Sequence, residues 1–284
     1  MIGPRSQIPP PLVTSVRILG VGALVAMLVL GAMLAYPPQP FDICLSQDGL
    51  RDLCYCERIS QGLVRQPVGV LSSAGFAIAG LGMLVKHGPA QPETRGSIRV
   101  RGIFATDVRL RLVFCFCSLM LGAASISFHA TFKLLPGLFD SVAILFWTNF
   151  MTALNVGRLR SWSGDQVLRA FAIATAVQFA VVLASLPLAP HVHGPHLVTL
   201  ASGACAALSP LFVYRYRGFP GWPSERWILA SLLVFVTGFV VVHRAGTGSP
   251  WCREDSWLQG HGLWHVTCAL AIWLSYEHAR RTFP

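Results

Sequence analysis

Five polar residues stand where the sequence around them is apolar: Ser125 and His129 in Ser125-Ile-Ser-Phe-His129, Asp140, and the two histidines of His261-Gly-Leu-Trp-His265. Ser125 and His129 are four residues apart, as are His261 and His265, so on helices each pair projects from one face. Three neutral imidazoles with a fourth position left open form the ligand set of a catalytic zinc. Such an ion lowers the pKa of its water to about 7 and polarises a carbonyl. A carboxylate beside it can take the water's proton and hand it to a leaving group. An HxxxH pair alone is weak evidence for a metal; here the placement of a third histidine and an aspartate at the same depth strengthens it. Gly262 occupies the position where the HExxH of soluble metalloproteases carries Glu, which excludes that mechanism. Ser125, His129 and Asp140 also have the residue types of a serine hydrolase. No GxSxG-type elbow surrounds Ser125, and that reading leaves His261 and His265 without a role.

These side chains depend on helices that cross a bilayer. Hydrophobic residues make up 54% of the 284, charged ones 12%, and mean hydropathy is +0.57. Soluble domains carry about 25% charged residues, so the chain reads as an integral membrane protein. A spanning helix needs about 20 apolar residues. Eight runs qualify: roughly 18–36, 67–85, 112–132, 138–156, 167–189, 195–214, 227–243 and 260–276. The expected fold is therefore all-α and polytopic, a seven-helix core bundle (67–284) preceded by an N-terminal tail and extra span (1–40) and a cysteine-bearing outside loop (41–66). The first span is too long for a cleaved signal peptide and has a poor cleavage site, so it reads as a signal-anchor.

Most of the 22 Lys and Arg fall in loops on the side of the N-terminus, which makes both termini cytoplasmic. The net charge of +10 then belongs to cytoplasmic loops rather than to a nucleic-acid interface. No protein partner is indicated. With this topology Ser125, His129, Asp140, His261 and His265 all lie near the non-cytoplasmic face. A tight turn containing Pro136 and Gly137 is expected between the third span and Asp140. His191, His193 and His196 read as histidines of a solvated outside loop, and Asn149, Asn155 and Gln178 as interhelical hydrogen-bonding groups. Cys44, Cys54, Cys56 and Cys252 share the outside face, in line with disulfides in an oxidising compartment. Spacing does not choose among their three pairings.

These residues resemble the alkaline ceramidase family, within the CREST superfamily that also holds the progestin and adipoQ receptors. The resemblance runs over about residues 50–280. Its most specific parts are Ser125-x-x-Phe128-His129-Ala130-Thr131, Asp140 eleven residues after His129, and Ser256-Trp-Leu-Gln-Gly-His261-x-x-Trp264-His265. It implies a hydrolase of linear amides that cleaves ceramide, or a ceramide-like membrane lipid, to a sphingoid base and a fatty acid. His129, His261 and His265 would bind zinc, Asp140 would act as acid and base, and Ser125 would hydrogen-bond the oxyanion or the water. Trp264 would line the substrate pocket. Cys56 and Cys252 match positions that pair as a disulfide in the family, which leaves Cys44 with Cys54. The membrane would be a bacterial inner membrane or one of the secretory pathway. The family's calcium site is not reproduced: Cys56-Glu57 matches its pattern, but Cys54, Tyr55 and Ile59 replace Asp, Trp and Asn, and 66–73 offers no carboxylate. Calcium is expected to matter little. Because some superfamily members are receptors, the non-enzyme alternative is a receptor-like or structural protein with a closed, non-catalytic zinc site.

Overall fold

Inside lipid a backbone has no water to bond, so long apolar runs must close their own hydrogen bonds as helices. A computed structural model of the chain describes residues 55–86, 93–95, 98–100, 103–185 and 225–281 and parts of 202–210, and these are mostly helical. Among the described residues six long helices carry the fold: α1 (Pro67–Val85), α2 (Val108–Thr131), α3 (Leu134–Arg160), α4 (Gly164–Ser185), α5 (Glu225–Arg244) and α6 (Gly260–Arg281). Among the described residues four stretches are long and apolar enough to cross a membrane, Pro67–Val85, Val108–Thr131, Leu135–Arg160 and Arg226–Arg244, as expected of a membrane protein. Leu71 and Ile78 on α1 and Leu233 on α5 are exposed on the bundle's outside, a surface suited to lipid. The span at 18–36, Cys44, Cys54, the three histidines at 191–196 and most of the span at 195–214 lie outside the described residues.

Helix starts are set by local chemistry. Pro67 opens α1, where its missing N–H costs nothing. Asp107 caps α2 by accepting from the Arg109 backbone N–H at 2.9 Å. The turn between α2 and α3 departs from expectation. It falls at Phe132, in the left-handed region with φ 50°, and Lys133. Pro136 and Gly137 belong to the first turn of α3, where a proline interrupts no hydrogen bond because those N–H groups have no helical acceptor. A short antiparallel ribbon, Glu93–Arg95 with Ile98–Val100, accompanies the helices without changing the mostly helical fold.

Helix α1 packs between α2 and α6, α5 lies against α6, and α3 joins α2 to α4. Close approach of α1 and α2 needs Gly122, where a Cβ would sit 2.8 Å from the Ala77 backbone N. Polar side chains tie helices together as anticipated: Asn149 donates to Thr175 at 3.3 Å, Asn155 to Ser209 at 2.8 Å and Gln178 to Ser202 at 2.7 Å. Phe104, Phe114, Phe150 and Tyr276 form the aromatic centre of the core. At the end of α6 farthest from its histidines, the buried Glu277 carboxylate meets Lys86 at 2.6 Å and Arg280 at 2.7 Å.

Candidate metal centre

The C-terminal turn of α2 delivers His129, and the first two turns of α6 deliver His261 and His265. Their ligand nitrogens all lie within 4.8 Å of one another. His129 and His265 are buried and His261 is partly so. This group could hold a metal ion. The Nε2 atoms of His129 and His261 face each other at 3.3 Å, close to the edge of a tetrahedron with metal–nitrogen bonds of about 2.0–2.1 Å. Two buried polar atoms here, His261 Nδ1 and Asp140 Oδ1, have no hydrogen-bond partner among the described residues. The donor set and these unpaired atoms fit a site built for a cation and a further polar group.

Asp140, in the second turn of α3, stands outside the three-histidine group but beside Ser125, whose hydroxyl hydrogen-bonds it. Ser125 is 1% exposed, and its other partner is Ser73 Oγ at 2.9 Å. Neither partner is an imidazole, so the pairing that a serine nucleophile needs is not formed among the described residues. The Trp264 ring packs against Phe235 and Phe239 of α5.

Several residues that enclose the group carry no motif. Tyr55 lies over His261 with ring centroids 3.7 Å apart and reaches His129 at 5.3 Å. Burial, with the Asp140 carboxylate nearby, pushes its phenol well above the ordinary range and keeps it protonated. Gln66 Oε1 lies 2.7 Å from His129 Nδ1. Ser72 and Ser73 present Oγ to His265 Nδ1 at 2.9 and 3.1 Å. The sequence signal for the serines was a hydroxyl pair in an otherwise apolar span; Gln66 and Tyr55 gave none beyond adjacency to α1 and to Cys56.

Cys56 and Cys252 form a disulfide, with Cα atoms 5.4 Å apart. It joins the segment before α1 to the loop before α6. Arg58 reinforces the junction through both carboxylate oxygens of Asp255, at 2.9 and 3.0 Å. Buried Gln259 organises that loop by donating to the carbonyls of Arg253, Glu254 and Ser256. Glu57, the residue shared with a calcium-binding pattern, spends both oxygens on the start of α1: they accept from Val68 N at 2.7 Å and Gly69 N at 2.9 Å. A carboxylate there also complements the positive end of the helix dipole.

The chain matches no protein-family model and no curated protein.

Proposed function

We propose that the protein is a zinc-dependent intramembrane amidase that hydrolyses ceramide or a ceramide-like lipid to a sphingoid base and a fatty acid. The supporting observation is the convergence of three imidazole ligand atoms within 4.8 Å, with Asp140 outside the group and hydrogen-bonded to Ser125. A structural zinc site closes its coordination with a fourth protein ligand, whereas a catalytic one leaves that position free. This arrangement favours catalysis over the receptor-like alternative. The motif resemblance to alkaline ceramidases supplies the substrate class.

His129, His261 and His265 would hold the zinc, which supplies a Lewis acid and an activated water. Asp140 accepts the proton of the attacking water and returns it to the amide nitrogen as the C–N bond breaks. Ser125, buried beside Asp140, turns its single hydroxyl hydrogen from Asp140 to the carbonyl oxygen as charge develops there and Asp140 takes up the water's proton. Tyr55 covers His261 and limits access of bulk water. In this reading the chain has eight spans with both termini cytoplasmic, and the site sits near the opposite face, where lipid enters laterally from the bilayer. Trp264, against α5, belongs to the wall that meets the lipid. The test is ceramide turnover by the purified protein before and after complete removal of its metal. Activity should vanish and return with zinc; turnover that survives removal contradicts the proposal.

A further inference from the structure

The start of α1 holds no metal-binding residue type, yet it contributes every side-chain hydrogen bond described for the Nδ1 atoms of His129 and His265. Gln66 is 1% exposed. Its Nε2 donates to the Glu57 carbonyl at 3.3 Å, which turns Oε1 toward the His129 ring. An amide oxygen only accepts, so His129 Nδ1 carries the proton and Nε2 of the neutral ring keeps its lone pair. Ser72 and Ser73 each donate their hydroxyl hydrogen to the Gly69 carbonyl, at 3.1 and 2.7 Å. Their oxygens therefore offer lone pairs to His265 Nδ1, with the same result for its Nε2. At Gly69 itself a Cβ would meet the His129 ring.

We propose that Gln66, Ser72 and Ser73 are positioning residues that set the tautomers of His129 and His265, so that both present Nε2 to the metal. The proposal rests on the metal-site reading above. Histidine ligands commonly donate their second N–H to a carboxylate, which raises ligand basicity. Here all three acceptors are neutral. The ligands stay correspondingly less basic, and the ion they hold stays a stronger Lewis acid. The two serines back each other up on one nitrogen, whereas Gln66 acts alone on the other.

The experiment strips the purified full-length protein of metal and titrates it with Zn²⁺ against a competing chelator, recording the thermal midpoint of each metal-free variant. Gln66→Leu should weaken zinc binding about 10–100-fold, the usual effect of losing such a partner. Gln66→Glu, which keeps an acceptor oxygen, should bind at least as tightly as the wild type. Ser72→Ala and Ser73→Ala should each change little, and the double substitution should match Gln66→Leu. Metal-free midpoints should stay at the wild-type value. Wild-type affinity in both the double variant and Gln66→Leu overturns the proposal. So do midpoints that fall in step with affinity, or a Gln66→Glu that binds as poorly as Gln66→Leu. A wild-type protein that takes up no zinc is a different failure, that of the metal-site reading itself, and it shows before any variant is made.

Discussion

Gly69 and His129 approach so closely that no side chain fits between them: a Cβ on Gly69 would lie 2.6 Å from Nδ1 and 2.7 Å from Cγ of the imidazole. The ring thus rests on the backbone of α1, and its position depends on that helix staying where it is. Gly69→Ala should displace either the ring or the helix. Forcing extra atoms into a packed site typically costs about 1–3 kcal/mol. We expect a lower melting temperature together with weaker metal retention. Gly246→Ala is the control, because its nearest neighbour would be 3.9 Å from a Cβ, and it should melt like the wild type. Thermal unfolding of the two variants side by side checks this; equal stability would show that the contact is slack.

Asp140 and the histidines should separate in their effects. Alanine at His129, His261 or His265 removes a ligand, so metal and activity are lost together. Asp140→Asn should keep the metal and cut turnover about 10²–10⁴-fold, the usual contribution of a general acid–base. Ser125→Ala should also keep the metal and lose roughly 3–4 kcal/mol of transition-state stabilisation at most. Metal content and turnover measured on the same samples decide. A Ser125→Ala variant that is wholly inactive, in a protein indifferent to chelators, would restore the serine-hydrolase alternative.

The Cys56–Cys252 disulfide joins the segments that lead into α1 and α6, and so braces both sides of the metal group. Peptide mapping without reductant should recover the two cysteines linked. Replacing both with serine should lower stability by about 2–4 kcal/mol, with a parallel loss of zinc affinity. Free thiols at both positions in the native protein would contradict this.

Calcium should have little effect. Both oxygens of Glu57 already accept backbone N–H groups of α1, and the neighbouring Arg58 is paired with Asp255. Melting curves with calcium and with a calcium-selective chelator should coincide. A large calcium-dependent rise would mean that the loop opens to bind the ion. Glu57→Ala should destabilise by about 1 kcal/mol, the cost of losing a helix cap.

Much of this site is legible along the chain because it depends on local spacing. His261 and His265 share a face through the helical period, and counting crossings brings them to the end of the bundle where His129 and Asp140 lie. The helix at 67–85 matches α1 residue for residue. Other features depend on packing between distant segments. Gln66 and Ser72 reach the imidazoles of His129 and His265 only because α1 slots between α2 and α6, which no spacing reveals. Pro136 reads as a turn residue because proline often marks turns, yet it is equally at home in a first helical turn. The last helix escapes a pure hydropathy criterion for the same reason that it is informative. His261, His265, Glu277, His278, Arg280 and Arg281 dilute its apolar character while supplying the metal group and the charged far end.

In the proposed function, a zinc held by these three histidines drives cleavage of a lipid amide. The most direct measurement quantifies zinc and lipid products in one preparation of purified protein incubated with ceramide. About one zinc per chain is expected, as three ligands on one ion require, with equal amounts of sphingoid base and fatty acid released. A fully zinc-loaded protein that leaves ceramide-like lipids intact would contradict it.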